Sequence, residues 1–202
     1  ARRRGGPGSR RFTSPASSRA RRCRPTPSRS RRACTKASSF TRRSGRAPEL
    51  EDAGTLEWIG RFIGRMHAIG ATGRFETRLA LNPITYGTEP RDWLLSKGLV
   101  PPDALTAWRA MAEAALDQVR AAFDSVTSLK LLRLHGDCHL GNILWTDAGP
   151  HFVDLDDAVT GPAVQDLWML LSGNRAERTR QLGAVLDGYE QFMEFDRREL
   201  AL

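Results

Sequence analysis

The strongest periodicity in the chain is a stripe of apolar residues, Leu56, Ile59, Phe62, Ile63, Met66 and Ile69. It recurs at the interval of an amphipathic helix and stops at Gly70. His67 lies near that face and reads as a core histidine bonded to backbone. Residues 71–101 carry no such period, being broken by Asn82-Pro83, Tyr86-Gly87, Glu89-Pro90 and Pro101-Pro102 around a short Trp93-Leu94-Leu95 turn. They are expected to be a connector. Pro102-Asp103 opens a second helix, whose stripe of Leu105, Trp108, Ala112, Ala115, Leu116, Val119 and Phe123 persists to Ser125.

The period then changes. Leu129 to Leu134 is an apolar run broken by Lys130 and Arg133, as in a short buried strand that delivers His135, Gly136 and Asp137 at its carboxyl end. Ile143-Leu144-Trp145 and His151-Phe152-Val153 flank a segment of turn composition, Thr146 to Pro150, and predict a hairpin centred on Ala148. In that register Trp145 faces His151, Ile143 faces Val153, and Asn142 falls opposite Asp154 at about 5 Å. Gly161-Pro162 opens a third helix, with Val164, Leu167, Trp168, Leu170 and Leu171, that ends at Gly173-Asn174. A fourth is expected from about Ala176 to Phe195, and the Trp and Met residues of these stripes read as core. The sum is an α+β fold, mostly helical, with one small hairpin.

Charge divides the chain in two. Residues 1–48 hold 16 Lys and Arg and no Asp or Glu, so residues 49–202 hold 15 basic and 23 acidic residues, and the net charge of +8 belongs to the first segment. That segment is almost wholly Arg, Ser, Pro, Ala, Gly and Thr, with Phe12 and Phe40 its only large apolar side chains. Residues 1–47 are therefore expected to be a disordered basic arm, and residues 48–202 a folded domain. An Arg-rich arm suits nucleic acid or an organellar targeting peptide, but it has neither aromatic interleaving nor an apolar helical face, so nucleic acid is not the expected partner. GC-rich DNA translated out of frame gives the same composition, and that origin is the preferred expectation.

No run of about 18 apolar residues and no secretory signal pattern occurs, which predicts a cytosolic protein without a membrane partner. Cys23, Cys34 and Cys138 make no metal or disulfide spacing, and Cys138 reads as a buried filler.

The chemistry is concentrated between His135 and Asp157. Asp137 and Asn142 stand five apart, the interval between the catalytic Asp and the metal-binding Asn of a kinase catalytic loop, and Asp154 sits where a second magnesium carboxylate is needed. An Asn amide oxygen and an Asp carboxylate are hard ligands for Mg²⁺, and one unligated carboxylate, here Asp137, accepts or orients the proton of an acceptor hydroxyl. Asp and Asn beside glycines are also ordinary turn formers. Gly136-Asp137-Cys138-His139 equally fits the Gly-Asp-x-His motif of a metal-dependent phosphoesterase, which would want further His or Asp ligands.

The string His135-Gly136-Asp137-Cys138-His139-Leu140-Gly141-Asn142, then Val153-Asp154-Leu155-Asp156-Asp157-Ala158, then Gly161-Pro162-Ala163-Val164-Gln165-Asp166-Leu167, resembles the aminoglycoside phosphotransferase and choline kinase group of the protein-kinase-like fold. The resemblance covers roughly residues 48–202 and implies a carboxyl-terminal kinase lobe. It implies that Asp137 is the proton acceptor and that Asn142 and Asp154 bind Mg²⁺ bridging the phosphates of ATP, the co-substrate. Asp166 is expected to brace the catalytic loop near His135, and Asp156 to stand behind the ligands. His139 would contact either the acceptor or the loop backbone. The implied acceptor is a protein Ser or Thr, or a small hydroxyl-bearing molecule. A kinase also needs a glycine-rich loop and a strand lysine. Lys36, Lys97 and Lys130 are the only lysines, and none is so placed. The nucleotide-covering lobe is thus expected to be missing, the chain to be cut short at its carboxyl end, and its own activity to be poor. A non-catalytic fragment that binds a partner is the remaining expectation.

Overall fold

The computed structural model describes residues 44–202, so the expectation for the basic arm lies outside the described residues up to residue 43. Packing begins earlier than residue 48. Arg46 bridges Trp145, its N–H donating to the Trp145 carbonyl at 3.0 Å and its carbonyl accepting from Trp145 N–H at 2.8 Å.

Helix α1 spans Ala53–Gly70. Asp52 caps it, its carboxylate accepting from the Thr55 N–H at 2.7 Å and from the Thr55 hydroxyl at 2.8 Å. Leu56, Ile59, Ile63 and His67 follow the helical period on its buried face, while Ile69, expected on that stripe, is exposed. The face packs on α5, Arg175–Tyr189, so closely that a Cβ on Gly60 would overlap the Val185 carbonyl and one on Gly188 the Glu57 carbonyl. Glycine at these positions sets the distance between the two helices.

The connector is more ordered than its breakers suggest. A π-helical turn at Ile84–Thr88 runs into α2, Glu89–Ser96, because Pro90 in the first helical turn has no intrahelical bond to lose. Helix α3, Leu105–Ser125, has Leu116 as its one buried residue, and Met111 and Val119 are exposed.

The strands make two small antiparallel sheets: β1 (Leu132–Leu134) with β4 (Val159–Gly161), and β2 (Ile143–Thr146) with β3 (Gly149–Phe152). The β2–β3 hairpin is shifted by one residue from expectation. Ile143 faces Phe152, Leu144 faces His151 and Trp145 faces Pro150. Asp147 and Ala148 lie between the paired Thr146 and Gly149, and neither has positive φ. Gly149, at φ +102°, supplies the left-handed residue that returns the chain to the hairpin, while Thr146 fastens the turn by accepting from Ala148 N–H and donating to the Gly149 carbonyl. Asn142 therefore pairs with Val153, whose N–H donates to the Asn142 carbonyl at 3.0 Å, and not with Asp154.

After β4, helix α4 covers only Gln165–Trp168, shorter than its stripe predicts, and Trp168 is 55% exposed rather than core. Helix α5 starts at a capping box of Asn174 and Glu177 and stops at Tyr189, short of Phe195, where the chain turns toward the 3-10 segment Arg197–Ala201. The core gathers Ile59, Ile63, Leu134, Ile143, Leu167, Val185 and Tyr189 beneath the loop that carries Asp137. Among the described residues, no helix is long and apolar enough to cross a membrane.

Candidate active site

Strand β1 ends at Leu134, and the next eight residues run over the core to β2. Gly136 makes the bend possible: its φ is +88°, and a Cβ there would overlap the Asp157 carbonyl. Asp166 holds the bend from below. Its buried carboxylate accepts from His135 N–H and Gly136 N–H, both at 2.8 Å, at the part of the loop where the resemblance implies its contact. Gln165 Nε2 adds a bond to the Gly136 carbonyl at 3.0 Å.

His135 is buried, and its Nε2 lies 2.9 Å from the Val153 carbonyl, tying the loop to the exit of β3. A carbonyl only accepts, so Nε2 carries a proton, and buried Nδ1 has no partner among the described residues. His139 turns back on the loop: its Nδ1 accepts from Gly141 N–H at 2.9 Å, capping the 3-10 turn Leu140–Asn142, and its Nε2 stands 3.4 Å from Asp137 Oδ2. Of the two roles expected for His139, the loop contact is the one seen.

Asn142 and Asp137 are in direct contact. Asn142 Nδ2 donates to the Asp137 carbonyl at 2.9 Å and to Asp137 Oδ2 at 3.0 Å. Asp137 Oδ1 and Asn142 Oδ1 have no hydrogen-bond partner among the described residues, so each presents an oxygen to whatever binds. Asp154 follows Val153, is exposed, and has φ +63°, a left-handed backbone that is rare outside glycine and is tolerated by Asp. The one-residue register shift does not fix its aim, because the left-handed residue interrupts the alternation of the strand. The Asp156 carboxylate has no hydrogen bond among the described residues. Its carbonyl, with that of Ala158, is instead bound by Arg78 Nη1.

Two residues of the apolar stripes also belong to this machinery. His67 is fully buried, with Nε2 3.0 Å from Asp166 Oδ2 and Nδ1 3.0 Å from the Tyr189 hydroxyl. It is a core histidine as expected, but its partners are side chains and not backbone. The local signal was a titratable residue on an apolar face, and nothing local named the partners. Cys138 is a filler: burial first, then the Asp166 and Asp137 charges, hold its thiol well above the usual range.

The expected ligands, Asn142 and Asp154, offer an amide oxygen and a carboxylate, hard oxygens of the kind Mg²⁺ takes. Among the described residues no group of three or more His, Cys, Asp or Glu forms an all-protein metal cage.

An α+β lobe with this loop, this asparagine and this buried brace is the carboxyl-terminal lobe of a kinase-like fold. The chain belongs to the phosphotransferase enzyme family, whose model matches residues 31–202 and so reaches into the Arg-rich segment, earlier than residue 48. It is similar to stress response kinase A of Escherichia coli (strain K12), 44% identical over 158 residues, which are 78% of this chain and 47% of that protein. It is also similar to serine/threonine protein kinase RdoA of Salmonella typhimurium (strain LT2), 42% identical over 158 residues, again 78% of this chain and 47% of that one. The chain spans about half the length of the curated relatives it matches. Among solved structures, amicoumacin kinase hAmiN in complex with AMP-PNP, Ca²⁺ and Ami has a TM-score of 0.54 at 17% identity, covering 77% of this chain and 48% of that one. At that identity the likeness is one of fold.

Proposed function

We propose that this lobe, as part of a kinase that also has a nucleotide-covering lobe, serves the transfer of the terminal phosphoryl group of ATP to a hydroxyl, with a protein Ser or Thr as the acceptor. The supporting observation is the Asn142–Asp137 contact: Asn142 Nδ2 and His139 Nε2 both address Asp137 Oδ2, leaving Oδ1 to receive the acceptor's proton. Asn142 Oδ1 and the Asp154 carboxylate would hold Mg²⁺, which would supply neutralisation of phosphate charge, while the lobe supplies position; together these carry most of the rate in phosphoryl transfer. Asp166, through the His135 and Gly136 amides, keeps Asp137 where the hydroxyl arrives. The protein acceptor rests on the 42% identity to a protein named as a serine/threonine kinase. The proposed site of action is the cytosol, in keeping with relatives from bacteria such as Escherichia coli.

The phosphoesterase reading fits less well, since His135 is committed to the Val153 carbonyl and His139 Nδ1 to Gly141 N–H. The test is Mg·ATP turnover by the purified chain on a Ser/Thr protein, a sugar and an aminoglycoside, with Asp137→Ala as the blank. Turnover on the protein that vanishes in the blank supports the reading. Turnover that persists in the blank overturns it, and none at all with ATP still bound favours the partner-binding fragment.

A further inference from the structure

The tyrosine that ends α5 lies far from the catalytic loop in sequence and yet is joined by a chain of hydrogen bonds to the His135 and Gly136 amides, next to Asp137. Asp166 accepts from His135 N–H and Gly136 N–H with one oxygen each, and Oδ2 also meets His67 Nε2 at 3.0 Å. An ionised carboxylate has nothing to donate, so His67 Nε2 carries a proton. In the neutral ring, Nδ1 then carries the lone pair and needs a donor. The Tyr189 hydroxyl, 3.0 Å away, is that donor. Asp166, His67 and Tyr189 are each 0% exposed, so water does not take the place of any member.

The packing of α5 on α1 makes this bond possible. A Cβ on Gly64 would crowd the Tyr189 carbonyl, as one on Gly188 would the Glu57 carbonyl, so three glycines bring the backbones together at the level of the tyrosine. Tyr189 also lies edge-on to the His67 ring, with centroids 5.5 Å apart. Burial raises the phenol's pKa far above neutrality, which keeps its proton in place.

We infer that Tyr189 is a positioning residue for the catalytic loop, its hydroxyl locking His67 in the Nε2–H tautomer so that His67 clamps Asp166 beneath His135 and Gly136. Without the hydroxyl, Asp166 alone is left to hold that tautomer, buried Nδ1 has no donor, and the clamp loosens. The inference rests on the phosphotransfer reading only for its effect on rate. Its structural part stands without it.

The test is Tyr189→Phe in the full chain, a change that removes one oxygen and keeps the ring. Three measurements are made: the ¹⁵N spectrum of labelled histidine, hydrogen exchange at the His135 and Gly136 amides, and Mg·ATP turnover. The expected results are a wild-type His67 signature of one protonated Nε2 and one hydrogen-bonded Nδ1, lost in the variant. Exchange at His135 and Gly136 should quicken about tenfold, the scale of one net hydrogen bond, and kcat should fall with KM unchanged. A control, Tyr189→Leu, should lose protection throughout α1 and α5 as well, separating packing from the hydroxyl's role. If Tyr189→Phe leaves the His67 spectrum and both amides as in the wild type, the inference falls. If both respond while the wild type shows no turnover, the inference stands and the phosphotransfer reading is what fails.

Discussion

Asn142 holds Asp137 twice, by its carbonyl at 2.9 Å and by its carboxylate oxygen Oδ2 at 3.0 Å. One amide therefore fixes both the backbone and the side-chain rotamer of the proposed base while leaving its own oxygen for a metal. Asp137→Ala is expected to lower kcat by about 10² or more with ATP affinity little changed, because the base acts on the acceptor and not on the nucleotide. Asn142→Ala should lower kcat and Mg²⁺-dependent ATP binding together, since it removes both the clamp and a ligand. Steady-state kinetics with a nucleotide titration distinguish the two patterns, and identical patterns would break the assignment.

Asp166→Ala should be the most destabilising single change near the site. It strands two buried donors, His67 Nε2–H and His135 N–H, and a half-buried one, Gly136 N–H, each buried donor costing about 1–3 kcal/mol when left unpaired. A loss of about 3 kcal/mol or more is expected, or about 6–12 °C in Tm for a chain of this size. Urea and thermal unfolding measure it, and a loss below about 1 kcal/mol would mean that water reaches the site.

What the sequence shows and hides here follows from the range of each interaction. The stripe of α1 and the five-residue interval from Asp137 to Asn142 are local, so period and spacing reveal them. The hairpin register depends on whether the turn has one centre or two, a choice made by Thr146 and the positive φ of Gly149, and composition alone placed it one residue off. The end of α5 is set where Tyr189 meets His67, a contact across 122 residues, and Phe195 continues the apolar period past it without being helical. Gly60, Gly64 and Gly188 carry no local signal of their role, which appears only when the two backbones meet.

Glu199 predicts a pH dependence. Its buried carboxylate accepts from Val164 N–H at 2.9 Å, next to α4 and Asp166, and burial raises its pKa above the usual 4.5. An acid whose folded pKa is raised holds its proton more tightly folded than unfolded. Its contribution to stability is full below 4.5 and is lost as pH rises through the folded value. Glu199→Gln keeps an acceptor for Val164 and removes the buried charge, so it should flatten stability against pH above 4.5 and leave the variant at least as stable as wild type at neutral pH. Urea midpoints from pH 4 to 8 test this, and parallel curves for both proteins would refute it.

Asp154 allows stability and function to be separated. Its φ of +63° costs a non-glycine residue about 1 kcal/mol or more, and strain of this kind persists where a side chain is needed at that spot. Asp154→Gly relieves the strain and removes the carboxylate, whereas Asp154→Ala removes the carboxylate and keeps the strain. Both should abolish Mg²⁺-dependent nucleotide binding. The glycine variant should equal or exceed wild-type stability, and the alanine variant should fall about 1 kcal/mol below the glycine variant. The measurements are urea unfolding and titration of a fluorescent ATP analogue with and without Mg²⁺. A glycine variant that still bound nucleotide in a Mg²⁺-dependent way would leave the left-handed turn without its proposed reason and remove Asp154 from the metal site.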